Sequence, residues 1–318
     1  MSDETITENT KIVNSKTPNP RLKFILSKLV DHLHDFARGT RLTTEEWDVG
    51  IDFLTPVGQT CTEIRQEFIL LSDVLGLSVL VDGISHPKPE GATIGTLLGP
   101  FHTHDAEEHQ QGDSICSEGK GEPLLITGKL TDLQGEPIEG ASIDLWECDE
   151  NGLYDTQYPD RDGPDCRGIV HTNAQGEFVI KCIKPTPYPI PHDGPVGQLL
   201  QVIKRHPYRP AHIHFIIEKP GYDKLITALY HKGDRFENSD AVFGVKTPLL
   251  FELVPLGEKL AKKYDMNAND WYLEQNFTIV TEGEARECRI AKSKKFLKEN
   301  VEGEFEFNEN GLPIASVD

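Results

Sequence analysis

The stretch LLITGKLTDLQGEPIEGASIDLWECDENGLYD, residues 124–155, decides the fold. Its apolar residues recur at a period of two in short runs, and the pairs Gln134-Gly135 and Asn151-Gly152 punctuate the runs as turns. A period of two belongs to strands, whose side chains alternate between faces. The pattern continues outward. HTNAQGEFVIKCI (171–183) is a turn and a strand, KPTPYPIPHDGP (184–195) a proline-dense loop, and RPAHIHFIIEKPGY (209–222) and KLITALY (224–230) two further strands. Many short strands separated by Gly and Pro predict an antiparallel β-sandwich rather than alternating βαβ units. There is no internal repeat and no nucleotide-binding glycine pattern.

Upstream of about residue 100 the period is helical. Leu22, Ile25, Leu29, Leu33 and Phe36 stand three or four apart; Thr43 to Glu46 has the capping-box spacing, with Trp47, Ile51 and Leu54 following on one face. A third pattern runs through Ile64, Phe68, Leu71, Leu75 and Val79. The expected division is a helical part over 1–105, a sandwich over 106–295 and a tail over 296–318, with residues 1–20 and 300–318 read as mobile ends.

The 318 residues carry 32 basic and 52 acidic side chains, a net charge of −20. Such a surface repels phosphate backbones and anionic lipid, so nucleic acid and membrane partners are not expected and small molecules are. Six scattered cysteines, a polar N-terminus and no stretch of membrane-span length predict a cytoplasmic protein.

His212 and His214 raise the chemical question. Two imidazoles on one face of an otherwise apolar strand are either a satisfied structural pair or part of a metal site. Three constellations compete. His102, His104, Asp105 and His109 in GPFHTHDAEEHQQGDS offer two histidines and a carboxylate, against the reading of a solvated linker. His212, His214 and Glu218 follow a cupin-like spacing, without the glycine expected ahead of the first histidine, where His206 stands. The third adds Tyr154 and Tyr188, whose phenolates are hard anionic donors suited to ferric iron; tyrosines in loops are more often packing residues.

The runs LWECDENGLYD, CIKPTPYPIPHDGP and RHPYRPAHIHF, with EFILLSDVLG and SDAVFGVK, resemble the intradiol ring-cleavage dioxygenases, in the catechol and hydroxyquinol 1,2-dioxygenase branch. The resemblance covers most of the chain. It implies a β-sandwich catalytic domain with an N-terminal helical dimerisation domain, a homodimer, one Fe(III) per subunit, and a phospholipid at the dimer interface. It places the four ligands on Tyr154, Tyr188, His212 and His214, with Tyr188 and His214 axial. Arg209 and Tyr188 take catalytic roles: Arg209 stabilises developing negative charge, and Tyr188 accepts a substrate proton. The reaction implied is insertion of dioxygen between the hydroxylated carbons of a 1,2-diol, giving maleylacetate from hydroxyquinol or cis,cis-muconate from catechol. Leu70, Asp73, Leu97, Gly99, Pro100, Phe101, Ile190, Pro191 and Val242 are placed around the ring. Asp73 leans the reading towards hydroxyquinol, since an acid at the ring edge accepts a hydrogen bond from a third hydroxyl; an N-cap or helix-surface role is the other reading of it. Two alternatives stay open: a transthyretin-like sandwich that binds phenols without turnover, and a cupin-type metalloenzyme using Glu218.

Overall fold

The alternation of residues 124–155 becomes β1 (Pro123–Thr131) and β2 (Ser142–Trp146) in a computed structural model that describes residues 5–63, 65–301 and 305–315. There follow β3 (Arg167–His171), β4 (Glu177–Ile183), the short pair β5 (Tyr188–Pro189) and β6 (Tyr208–Arg209), then β7 (His212–Glu218) and β8 (Leu225–His231). Short strands β9 (Leu250–Phe251), β10 (Val254–Pro255), β11 (Trp271–Glu274) and β12 (Phe277–Thr278) complete two sheets. One has the order β3-β2-β7-β8-β9; the other is β10-β11-β1-β12, with β4 also on β1. Leu124, Ile126 and Ile180 of the second sheet share one buried core with Leu145, Ile213 and Phe215 of the first.

The expected antiparallel sandwich needs a correction: both sheets are mixed. β8 pairs β9 in parallel, and β1 pairs β11 and β12 in parallel. Periodicity reports which side chains share a face, but strand direction is set by long connections, which carry no local signature.

The helices are α1 (Ile6–Asn14), α2 (Pro20–Thr40), α3 (Thr44–Thr60), α4 (Glu67–Val74), α5 (Leu77–Ser85), α6 (Pro195–Val202), α7 (Gly257–Tyr264) and α8 (Glu282–Asn300). The expected capping box of α3 forms: Glu46 N donates to Thr43 Oγ1 at 3.2 Å, and Thr43 N to Glu46 Oε2 at 2.9 Å. The third helical pattern is two helices, α4 and α5, bent by 85°. Gly76 lies between them at φ 75°, a left-handed conformation that ends a helix at little cost for glycine alone. Ile64, the first residue of that pattern, lies outside the described residues.

The chain forms two compact units, Met1–Cys61 with Arg286–Asp318, and Thr62–Ala285. Compactness alone thus divides the chain at 62 and 286. Residues 62–105 are tied into the sandwich unit: Thr93 N donates to Thr278 O at 2.9 Å, Thr227 Oγ1 to Ile94 O at 2.9 Å, and Lys88 pairs with Asp223. Within the first unit, Lys11 of α1 meets Asp31 of α2 at 3.1 Å. A hairpin of β13 (Glu306–Phe307) and β14 (Pro313–Ile314) reaches α2, where Arg21 Nη1 donates to Pro313 O at 2.6 Å. The ends expected to be mobile carry these contacts where they are described. Leu29, Leu33 and Phe36 of α2 and Trp47 and Ile51 of α3 are exposed. Among the described residues no single helix is long and apolar enough to cross a membrane.

Candidate functional site

β7 separates two environments by alternation. Ile213, Phe215 and Ile217 enter the core between the sheets, while His212 and His214 face away from it and are buried all the same. Register fixes what each histidine meets. Trp146 of β2 is directly opposite His214, and its indole stacks on the imidazole, with ring centroids 4.8 Å apart and planes within 2°. Tyr230 and Ala228 of β8 are opposite His212 and His214 respectively. His212 Nδ1 lies 2.7 Å from the Pro210 carbonyl. That carbonyl can only accept, so Nδ1 carries the proton and Nε2 turns a lone pair inward.

The tyrosines arrive from loops. Tyr154 follows the tight turn at Gly152, whose φ is 77° and whose added Cβ would come within 3.0 Å of Tyr188 Cβ. Gln157 Oε1 accepts from Tyr154 N at 2.9 Å, and Phe101 stacks on the Tyr154 ring at 4.4 Å. Tyr188 is held by the β5–β6 ladder, directly opposite Arg209. Four donor atoms then converge. Tyr154 Oη and Tyr188 Oη are 3.4 Å apart, Tyr188 Oη and His212 Nε2 3.4 Å, and His212 Nε2 and His214 Nε2 3.1 Å. Such spacings suit donors that share one ion at bonds of about 2.1 Å. Two phenol oxygens with two imidazole nitrogens make a donor set that favours ferric iron over softer or divalent ions.

Burial dominates the electrostatics. It holds both imidazoles well below their usual pKa, with the charge of Arg209 adding to it at His212 and the neighbouring His212 adding to it at His214. It pushes both phenols up, Tyr154 further through its neighbour Tyr188, while Arg209 opposes the rise at Tyr188. Neutral imidazoles are ready to ligate, and a bound cation reverses the balance at the phenols.

Arg209 is buried beside this cluster, its Nη1 3.0 Å from His212 Nε2. Asp240 takes its Nε at 3.1 Å and its Nη2 at 3.3 Å, and Nη2 also donates to Tyr230 Oη at 3.0 Å. The same carboxylate accepts from Val242 N at 3.2 Å and Gly244 N at 2.9 Å. One acid thus fixes both the guanidinium and the segment carrying Val242. The other expected wall residues come from three segments. Leu70 and Asp73 sit on α4, Ile190 and Pro191 follow Tyr188, and Leu97, Gly99, Pro100 and Phe101 lie on one loop outside any helix or strand. Gly99 lies against His214; an added Cβ would be 3.2 Å from its Cε1. Asp73 is in the last turn of α4, which excludes an N-cap role. Its carboxyl is raised by burial, against a hydrogen bond from Ser78 and the charge of Arg209.

The competing constellations disperse. His102 pairs with Asp144 at 2.9 Å and Asp105 with Arg161 at 2.8 Å, while the ring of His109 abuts Gly168. Nor is this segment a plain solvated linker: Arg167, buried against Asp155, donates to Phe101 O at 3.0 Å and Thr103 Oγ1 at 2.8 Å. Glu218 is half-exposed and paired with Lys224 at 2.5 Å. Four residues of extended strand put it roughly 13 Å beyond His214. Among the described residues, no group of three or more His, Cys, Asp or Glu side chains is placed to hold a metal ion.

Sequence reasoning missed Trp146, Tyr230, Asp240 and Arg167. Asp240 was within reach, since it stands in SDAVFGVK and Asp followed by a nearby Gly marks a side chain that binds its own loop. The other three depend on cross-strand register.

Comparison with known proteins identifies the family. Residues 97–282 match a family model described as dioxygenase, and residues 19–93 one described as catechol dioxygenase N terminus. The intradiol ring-cleavage dioxygenase hqdA of Aspergillus niger is 51% identical over 318 residues, covering 100% of this chain and 96% of that protein. The catechol 1,2-dioxygenase of Candida albicans is 36% identical, over 91% of this chain and 96% of its own. The crystal structure of hydroxyquinol 1,2-dioxygenase from Pseudomonas putida DLL-E4 superposes with a TM-score of 0.84 at 41% identity, covering 88% of this chain and 99% of that one.

Proposed function

The chain belongs to the intradiol ring-cleavage dioxygenases, and from that premise we propose a ferric enzyme with hydroxyquinol as its preferred diol. In this reading Tyr154, Tyr188, His212 and His214 hold one Fe(III) per subunit. Intradiol cleavage breaks the bond between the two hydroxylated carbons and adds one atom of dioxygen to each, so hydroxyquinol opens to maleylacetate and catechol to cis,cis-muconate. The observation that carries the iron assignment is the convergence of two phenol oxygens and two imidazole nitrogens at 3.1 to 3.4 Å, beside a buried arginine.

Bound ferric iron supplies the electron withdrawal that opens a ring carbon of the diol to dioxygen. The chain supplies the rest. Tyr188 Oη accepts a diol proton. Arg209, held from behind by Asp240 and Tyr230, presents a fixed positive charge without reorganising, which is where buried charges stabilise a transition state most. Gly99, Phe101, Ile190 and Val242 grip the ring face and exclude water. Asp73 accepts the hydrogen bond of a third hydroxyl, and a diol lacking it leaves that acid unpaired. Placement of Asp73 within the field of Arg209 supports this choice, as does the similarity to the Pseudomonas hydroxyquinol enzyme.

The exposed apolar residues of α2 and α3 support a homodimer through the N-terminal helices, with residues 1–105 as the dimerisation part, 106–295 as the catalytic part and a phospholipid between the subunits. Six free cysteines suit a reducing cytoplasm.

A visible absorption spectrum, before and after anaerobic addition of each diol, tests the reading. A phenolate-to-iron charge-transfer band that shifts with diol, at lower concentration of hydroxyquinol than of catechol, is expected. A colourless protein that contains stoichiometric metal would refute the tyrosine-ligated site.

A further inference from the structure

α4 carries Leu70 and Asp73, yet it has no ladder to the strands that bear the donor atoms. Eight residues of helix are too few to be stable alone, so its position depends on the packing of buried Leu71 and Val74 and on what grips its ends. At the N-terminal end Glu67 is fully buried. Its Oε1 accepts from Val196 N of α6 at 3.1 Å, and its Oε2 accepts from Arg65 Nε at 3.1 Å and Nη2 at 2.9 Å. Gly194 makes room for this: an added Cβ would lie 2.6 Å from both Arg65 Nη2 and Glu67 Oε1. That end of α4 is therefore fastened to the segment that follows Ile190 and Pro191.

At the C-terminal end, the Val74 carbonyl accepts from Arg205 Nη1 at 2.6 Å, and Arg205 Nη2 donates to Ala241 O at 2.8 Å. The guanidinium also lies 4.8 Å over the ring of Phe243. Ala241 stands between Asp240, which holds Arg209, and Val242. One side chain thus spans α4 and the loop that orients Arg209.

We propose that Glu67 and Arg205 are positioning residues that set the spacing of Asp73 from Arg209, and through it the discrimination between a 1,2-diol with a third hydroxyl and one without. The proposal rests on the reading of Asp73 as the acceptor for that hydroxyl. A hydrogen bond weakens steeply with angle and distance, whereas apolar contact with a ring face tolerates small shifts. Loosening α4 therefore penalises hydroxyquinol more than catechol.

Steady-state constants for both diols, alongside the visible spectrum, are compared for wild type, Arg205→Ala, Arg205→Lys, Glu67→Gln and Asp73→Asn. Since misplacement of about 1 Å costs up to a hundredfold, Arg205→Ala should lower the hydroxyquinol-to-catechol ratio of kcat/KM at least about tenfold. The loss should fall mainly on the KM for hydroxyquinol, with a smaller loss for catechol through Leu70 and Arg209 and the absorption band retained. Arg205→Lys, which keeps one donor, and Glu67→Gln should fall between, and either reports if the alanine variant fails to fold. Equal losses on both diols, or an unchanged ratio where Asp73→Asn collapses it, would overturn the positioning role. An unchanged ratio in Asp73→Asn would instead remove the reading of Asp73, and the proposal with it.

Discussion

Replacing Asp240 by Asn removes the charge that faces Arg209 while keeping the shape of the side chain. Both groups are buried, and the carboxylate accepts four hydrogen bonds: two from the guanidinium and two from the amides of Val242 and Gly244. Breaking a buried pair from one side leaves an uncompensated charge, which costs about 3–5 kcal/mol. For a unit of this size that lowers Tm by roughly 10 °C, at about 2–4 °C per kcal/mol. Activity should fall further than stability suggests, since a misaligned Arg209 forfeits a preorganised charge worth about 10²–10³ in kcat. The four proposed ligands are untouched, so on that reading iron content and the charge-transfer band should stay as in wild type. Calorimetry, iron assay and steady-state kinetics read these three quantities separately. The double variant Arg209→Gln with Asp240→Asn makes the argument sharper: with no charge left to strand, it should regain stability over the single Asp240→Asn while staying inactive. A single variant that melts and turns over like wild type, or a double variant less stable than the single, would refute the reasoning.

Three other outcomes follow from the geometry. Glu147 is fully buried, and burial raises its carboxyl to about 8 against hydrogen bonding from Ile183 N. Because the folded state holds this proton more tightly than the unfolded one, the stability it contributes is complete below about pH 4.5 and is lost as pH climbs to about 8, on the order of 3–5 kcal/mol; Glu147→Gln should flatten the fall in Tm over that window, and a parallel curve would contradict the burial argument. Trp146→Leu should release iron to a chelator about 10–100 times faster, because His214 Nδ1 is buried without a hydrogen-bond partner and the stacked indole is what orients the ring; Trp146→Phe should release it more slowly than Leu, and equal rates would show that stacking does not matter. Glu218→Gln should leave iron content and kcat unchanged, and metal loss in that variant would revive the cupin-like reading.

Some of this was open to reading from residues alone. Alternation in HIHFIIE put both imidazoles on one face, and the capping box of Thr43 and Glu46 formed where its spacing said. The ordered motifs brought Tyr154, Tyr188 and Arg209 to the same place as His212 and His214. What escaped was non-local. The parallel partners of β1 and β8 are delivered by long connections, Gly76 broke a pattern whose apolar spacing ran straight through it, and Trp146 and Tyr230 matter only through the register of β2 and β8 against β7. The N-terminal helices show the converse: their apolar stripes were legible, but the period could not say that these faces would remain uncovered within one chain.

The alternation of β7 has a further consequence for biogenesis. A slip of one residue against β2 or β8 would turn Ile213 and Phe215 out of the core and drive both imidazoles into it. A chain paired in the wrong register would therefore lack its hydrophobic centre and the imidazole pair of the proposed iron site together. On the proposed iron reading a folding error and a dead enzyme are one event, and no misassembled yet metallated species should accumulate.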